Sequence, residues 1–175
     1  TDADILVFDY GNAVPSDAQN AVIARLVGDG KLVIVSGDHS DESAYPAWSA
    51  DAFAVGAVED DGTLTHETPY FPDAGKPDVY APRTITGTTC ERLVDRPEME
   101  GTTFAALYVA VAAMLVWATD RDLAARDVRA LLVDTATPIP TARGDTAKQL
   151  DVEAARDSAR PEVVVGAVGS DALEL

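Results

Sequence analysis

Between Glu100 and Asp120 the chain reads EGTTFAALYVAVAAMLVWATD, and from Thr102 to Thr119 it carries no charge, although a quarter of all residues are charged. A helix that is apolar on every side has to be covered by other protein elements or by lipid. The apolar part, residues 104–118, gives about 22 Å of helix at ~1.5 Å per residue, short of the ~30 Å of a bilayer core. It is also rich in alanine (105, 106, 110, 112, 113 and 118), whose small side chains let neighbouring elements approach closely. The sequence therefore predicts a helix buried on all faces at the centre of a folded domain, and a membrane span is the less favoured reading. Just before it, Glu100-Gly101-Thr102-Thr103 places a flexible residue and two hydroxyls at the amino end. Free backbone N–H groups and the positive end of the helix dipole gather there, which suits a nucleophile or an anion.

The rest of the chain supplies the cover. Residues 4–8 (DILVF) form a short apolar run and predict a buried strand. Ser16-Asp17-Ala18-Gln19 is a capping-box pattern opening a helix, which Gly28 and Gly30 stop. Residues 32–35 (LVIV) follow as a second strand, so the segment is a βαβ unit with parallel strands. In an open parallel sheet, chemistry sits at the carboxyl ends of the strands. The second strand ends there in Ser36-Gly37-Asp38-His39, in which Asp38 and His39 are either an acid–base pair or turn-forming residues. Residues 52–58 (AFAVGAV) predict a third buried strand, 63–68 and 78–80 short strands, and 84–93 a two-stranded excursion. After the central helix, 121–133 reads as an amphipathic helix ended by Pro138 and Pro140, 151–159 as a short helix, and 163–168 as a strand or tail.

Charge narrows the partners. With 30 acidic against 13 basic residues the net charge is −17, a self-repulsion that destabilises a compact state unless salt screens it. The composition resembles that of salt-adapted archaeal proteins, and it suits the cytoplasm of such a cell as well as secretion from it. The same field repels nucleic acid and anionic lipid, leaving a protein or peptide as the expected partner. Cys90 is alone, so no internal disulfide forms, and no cofactor or metal ligand set is apparent.

Five stretches in order, DILVFDYG, LVIVSGD, AYPAWSADAFAVGAV, KPDVYAP and GTTFAALYVAVAAML, resemble the carboxyl-terminal half of the subtilisin-like serine proteases. The resemblance implies an α/β three-layer fold with a mostly parallel sheet and a buried central helix, spanning residues 1–160 as a partial domain with an acidic tail at 161–175. It places Thr103 at the position of the nucleophilic serine and Asp38 at that of the oxyanion asparagine. Ser36, Gly37, Gly101 and Thr102 fall at substrate-binding positions.

Several positions depart from the family pattern. A threonine hydroxyl can attack a carbonyl, but its methyl group restricts the rotamer and crowds the approach. A carboxylate at Asp38 repels the oxyanion it should stabilise. Leu107 and Tyr108 stand where the family has Pro-His, and Arg83 where it has glycine after Ala-Pro. The family's catalytic aspartate and histidine come from segments earlier than Asp4.

Two readings follow. In the first, the chain is a catalytically silent relative that serves as a scaffold, binding or assembly module, with Thr103 as a helix-capping hydroxyl. In the second, it is an active hydrolase that uses Thr103, with Asp and His supplied by another chain or half. Either way, a sheet lacking its first strands exposes an edge and part of the central helix. A chain that completes the fold, or a second copy, is then expected to cover them.

Overall fold

The computed structural model describes residues 2–37, 45–65, 75–87, 98–141, 144 and 146–160. The elements run β1 (Ile5–Phe8), α1 (Asp17–Gly28), β2 (Leu32–Ser36), β3 (Phe53–Val58), β4 (Val79–Pro82), β5 (Thr84–Thr86), β6 (Glu98–Glu100), α2 (Thr102–Thr119), α3 (Ala125–Asp134), β7 (Thr137–Pro140), β8 (Thr146–Gln149) and α4 (Val152–Ser158). Six strands form one sheet in the order β1-β2-β3-β4-β8-β7, and β5 pairs with β6 in a separate antiparallel ribbon. β1 through β4 are parallel, as is the β4–β8 contact, while β7 runs antiparallel to β8. The fold is thus the α/β architecture with a mostly parallel sheet that the sequence predicts.

The apolar runs explain the layers. β2 and β3 are buried at every position, as strands covered on both faces must be. Alternate side chains then sort by face. Leu32, Ile34, Phe53, Val55, Val79 and Ala81 pack with α2, α3 and α4, while Val33, Val35 and Ala54 pack with Ile23 of α1. Ser16 caps α1 by accepting from the Gln19 N–H at 3.4 Å, as its capping box predicts.

Several expectations need correction. α2 is buried only on its sheet side. Ala105, Ala106, Val109, Ala112, Ala113 and Val116 lie in the core, but Leu107, Tyr108, Val111, Met114 and Leu115 are 36–52% exposed. α3 starts at Ala125, four residues later than residue 121, because Asp120 folds back to accept from the Asp122 N–H in a turn. Pro138 and Pro140 do not simply end a helix. They lie within β7, the outer strand, where a missing N–H costs no ladder bond. Within the expected strand at 63–68, Leu64 forms an isolated bridge to Val58, and 66–68 lie outside the described residues. Of the excursion expected at 84–93, residues 84–86 form β5, which pairs with β6 at 98–100 beyond the expected range, and 88–93 lie outside the described residues. The expectations for 163–168, for the acidic tail at 161–175 and for Cys90 lie outside the described residues.

The amino ends of β3 and β4 are locked by ion pairs. Asp78 accepts from the Ala54 N–H at 2.7 Å, from Lys76 Nζ at 2.8 Å and from Arg129 Nη2 at 2.9 Å. Lys76 Nζ and Arg129 Nη2 also donate to the Ala52 carbonyl, at 2.6 and 3.1 Å, and the Arg129 guanidinium lies over the Phe53 ring. Burial pushes the Lys76 ammonium below its ordinary value, and the Asp78 carboxylate opposes that shift. One carboxylate thus holds a loop, two strands and α3. Asp78→Ala leaves two cations partly buried without their counter-ion and should cost about 3 kcal/mol. That should be read as a fall of roughly 6–12 °C in the thermal midpoint; an unchanged midpoint would show the cluster to be ornamental.

Candidate active site

The carboxyl ends of β1 and β2 meet the amino end of α2. Gly101 precedes the helix with φ 150° and ψ 162°, a conformation open to glycine and unfavourable for side-chain-bearing residues. Its N–H donates to the Arg83 carbonyl at 3.1 Å, which fixes where α2 begins. Thr102 is then buried and Thr103 half-buried at the carboxyl end of the sheet. At the end of β2, Gly37 donates to the Val55 carbonyl at 2.7 Å, and a Cβ at Gly37 would lie 2.9 Å from that same oxygen. Only glycine fits so close to a backbone atom of a central strand.

Asp9 ties these pieces together. Thr103 Oγ1 donates to Asp9 Oδ1 at 2.5 Å, and Ser36 Oγ reaches the same oxygen at 3.2 Å and the Phe8 carbonyl at 3.4 Å. Of the residues singled out from the sequence, the structure therefore joins Thr103 and Ser36, and sets Gly37, Gly101 and Thr102 beside them in the chain. The carboxylate that joins them, Asp9, lies in the stretch DILVFDYG and is not among the site residues read from the sequence. Its position was nonetheless signalled, because Asp9 directly follows the first parallel strand, where the loops of such sheets carry chemistry. Thr103 does not cap α2: no side chain accepts from the first turn, and its hydroxyl is directed to Asp9 instead. Asp38 and His39 lie outside the described residues. Among the described residues no group of His, Cys, Asp and Glu is placed to hold a metal ion.

With this geometry in hand, the comparisons with known proteins are decisive for kinship. The pattern of the subtilase family, peptidase S8, matches residues 5–162. The chain belongs to the subtilase family. No curated protein matches it significantly. Among solved structures, the self-cleaved protease domain of PatA superposes with a TM-score of 0.76 at 22% identity, over 90% of this chain and 62% of that one. The PatG macrocyclase in complex with peptide gives 0.75 at 20%, over 90% and 52%. The Prenylagaramide maturation protease PagA gives 0.73 at 20%, over 90% and 62%. At these identities the likeness speaks for the fold, and this subtilase chain spans between half and two thirds of each of those structures.

Two departures from the family pattern acquire physical partners. Arg83, mostly buried, donates to Glu59 at 2.9 Å and to Glu100 at 2.7 Å. Tyr108 Oη donates to the Thr84 carbonyl at 3.1 Å. Both brace the β5–β6 ribbon against the start of α2.

The glycines of the domain divide by this packing. Gly37→Ala should lose about 1–3 kcal/mol, since the Val55 carbonyl cannot move without disturbing β3. Gly28→Ala, with nothing within 4 Å of its added Cβ, should leave stability unchanged or slightly raised. Paired chemical denaturation checks this, and equal effects at the two sites would refute the close-approach account.

Proposed function

We propose that this subtilase-family domain holds an extended polypeptide in the Thr103 cleft without cleaving it by itself, and so acts as a binding or assembly module. The observation that carries this is the Thr103–Asp9 hydrogen bond. Serine-type acyl transfer activates its hydroxyl with an imidazole poised near neutral pH and aims hydrogen-bond donors at the oxygen that becomes negative. Here the hydroxyl is given to a carboxylate. A full negative charge beside the attacking oxygen raises the energy of an anionic tetrahedral intermediate. The sequence resemblance assigns Asp38 to the family's oxyanion position, where a carboxylate offers no hydrogen-bond donor. Binding requires neither activation nor an oxyanion site, only open backbone at the strand ends. The peptide bound in the PatG macrocyclase structure supports peptide binding as a use of this fold.

One observation favours a second reading. All three structural neighbours are named as proteases or a macrocyclase, and each is longer than this chain. In that reading Thr103 is the nucleophile and a further chain or half supplies the aspartate and histidine. A fluorophosphonate probe separates the two readings, because it modifies only an activated hydroxyl. With the chain expressed in its native host and probed in a multimolar-KCl extract, where any chain that supplies the aspartate and histidine is present, we expect no adduct by intact mass. An adduct mapped to Thr103 would decide for the hydrolase.

The net charge of −17 supports a salt-rich working environment. Screening shortens from a Debye length of ~10 Å at about 0.1 M salt to ~3 Å at about 1 M. The thermal midpoint should therefore climb steeply with KCl over that range, and a flat profile would remove the argument for salt adaptation.

A further inference from the structure

Asp9 directly follows β1 and is exposed, yet its carboxylate is held in place. Oδ1 accepts from Thr103 Oγ1 at 2.5 Å and from Ser36 Oγ at 3.2 Å, which uses both lone pairs of that oxygen. The donors come from α2 and β2, two elements fixed by the core. Both are neutral hydroxyls, so they set the direction of the carboxylate without cancelling its charge. Among the described residues nothing donates to Oδ2, which keeps its capacity to accept.

Aromatic side chains continue the surface from there. Tyr10, the next residue, is 54% exposed, and its Oη accepts from Asn12 Nδ2 at 3.3 Å. Asn12 in turn pairs with Tyr45 through two backbone hydrogen bonds of 2.8 and 3.2 Å. The Tyr45 ring lies 6.2 Å from that of Trp48, which is 38% exposed. These contacts link Tyr10, Tyr45 and Trp48 into one aromatic neighbourhood that begins at the residue after an oriented carboxylate.

We propose that Asp9 is a specificity-determining residue that takes a cationic side chain, arginine or lysine, from the polypeptide held at this site. The inference rests on the reading of the Thr103 site given above as one that holds a polypeptide. A carboxylate fixed through one oxygen offers the other to an ammonium or guanidinium N–H, a charge-assisted bond that costs little further ordering. Aromatic rings attract the same cations through their negative faces. An acidic side chain would meet the Asp9 charge on a molecule of net charge −17, and a neutral one would leave that charge without a counter-ion.

The test incubates the full chain with a pool of random hexapeptides, at the lowest KCl concentration that keeps it folded by circular dichroism, and sequences the retained peptides. We expect arginine or lysine enriched at one position. By fluorescence anisotropy, a retained peptide should bind about 3–10 times more tightly than its copy with citrulline for that arginine, or acetyl-lysine for that lysine. This comparison is made on the unaltered chain, so it decides even where a variant fails to fold. Asp9→Asn, which keeps an oxygen acceptor for both hydroxyls, should abolish the ratio while leaving the affinity of the neutral copy unchanged. Asp29→Asn, the same change in net charge beside the amino end of β2, should preserve the ratio. Peptides retained without a basic position, or a ratio that persists in Asp9→Asn or falls equally in Asp29→Asn, overturn the cation site and leave polypeptide binding standing. No retained peptide at all overturns both.

Discussion

A helix of 18 residues without a charge has to be sheltered, and the parallel strands β1 to β4 form the surface that shelters α2. The contact is close because the helix offers Ala105, Ala106, Ala112 and Ala113 to the sheet, with Val109 and Val116 filling the spaces between them. α3 and α4 close the side of the same core through Val128, Leu132 and Ala155. Since α2 must lie against the sheet, its first turn is delivered to the carboxyl ends of the strands, and the position of Thr103 follows. Gly101 supplies the backbone conformation that lets the chain turn into the helix at that point. The cleft is therefore a product of core packing, and its location would survive many changes in the residues that line it.

The two ends of the sheet treat charge in opposite ways. At the amino end, two cations and one carboxylate are sealed together, and each bonds backbone groups as well as its partner. Such closely paired groups are costly to break and bind the surrounding segments into one unit. At the carboxyl end, Asp9 is exposed and one of its oxygens is shared by two hydroxyls. A negative charge left in the cleft costs little while water and salt reach it, but it shapes what the cleft can bind. Among the described residues, paired buried charge is thus concentrated at the amino end of the sheet, while the carboxyl end, where loops of such sheets are free to vary on a fixed core, carries an exposed carboxylate.

Much of this architecture was legible in the sequence, because burial writes itself into local pattern. The runs LVIV and FAVGAV became fully buried strands, and the Ser16 capping box became a capped helix. What stayed hidden depends on contacts between segments far apart in the chain. Asp9 and Thr103 are 94 residues apart, and no local rule links the residue after one strand to the first turn of a distant helix. The strand pair β7–β8 was missed because prolines normally argue against a strand, and only its place at the sheet edge makes them acceptable. The uncharged outer face of α2 was misread for a related reason: composition marks a helix as apolar all round but does not say which side the rest of the chain covers.

The departures from the family pattern bear on how this chain came to differ. By the sequence resemblance, Arg83 falls where the family has a glycine and Tyr108 where it has a histidine. If these were scars of a sequence no longer under constraint, an arginine so nearly buried would be expected to lack partners, at a penalty of several kcal/mol. Instead Arg83 meets two carboxylates, Glu59 from the end of β3 and Glu100 from β6. Tyr108 reaches across to β5, the strand that begins one residue after Arg83. A tyrosine on α2 and an arginine between β4 and β5 thus each bond the ribbon that leads the chain into the central helix. These contacts hold the β5–β6 ribbon against the end of β3 and against α2 at the point where the chain enters the central helix.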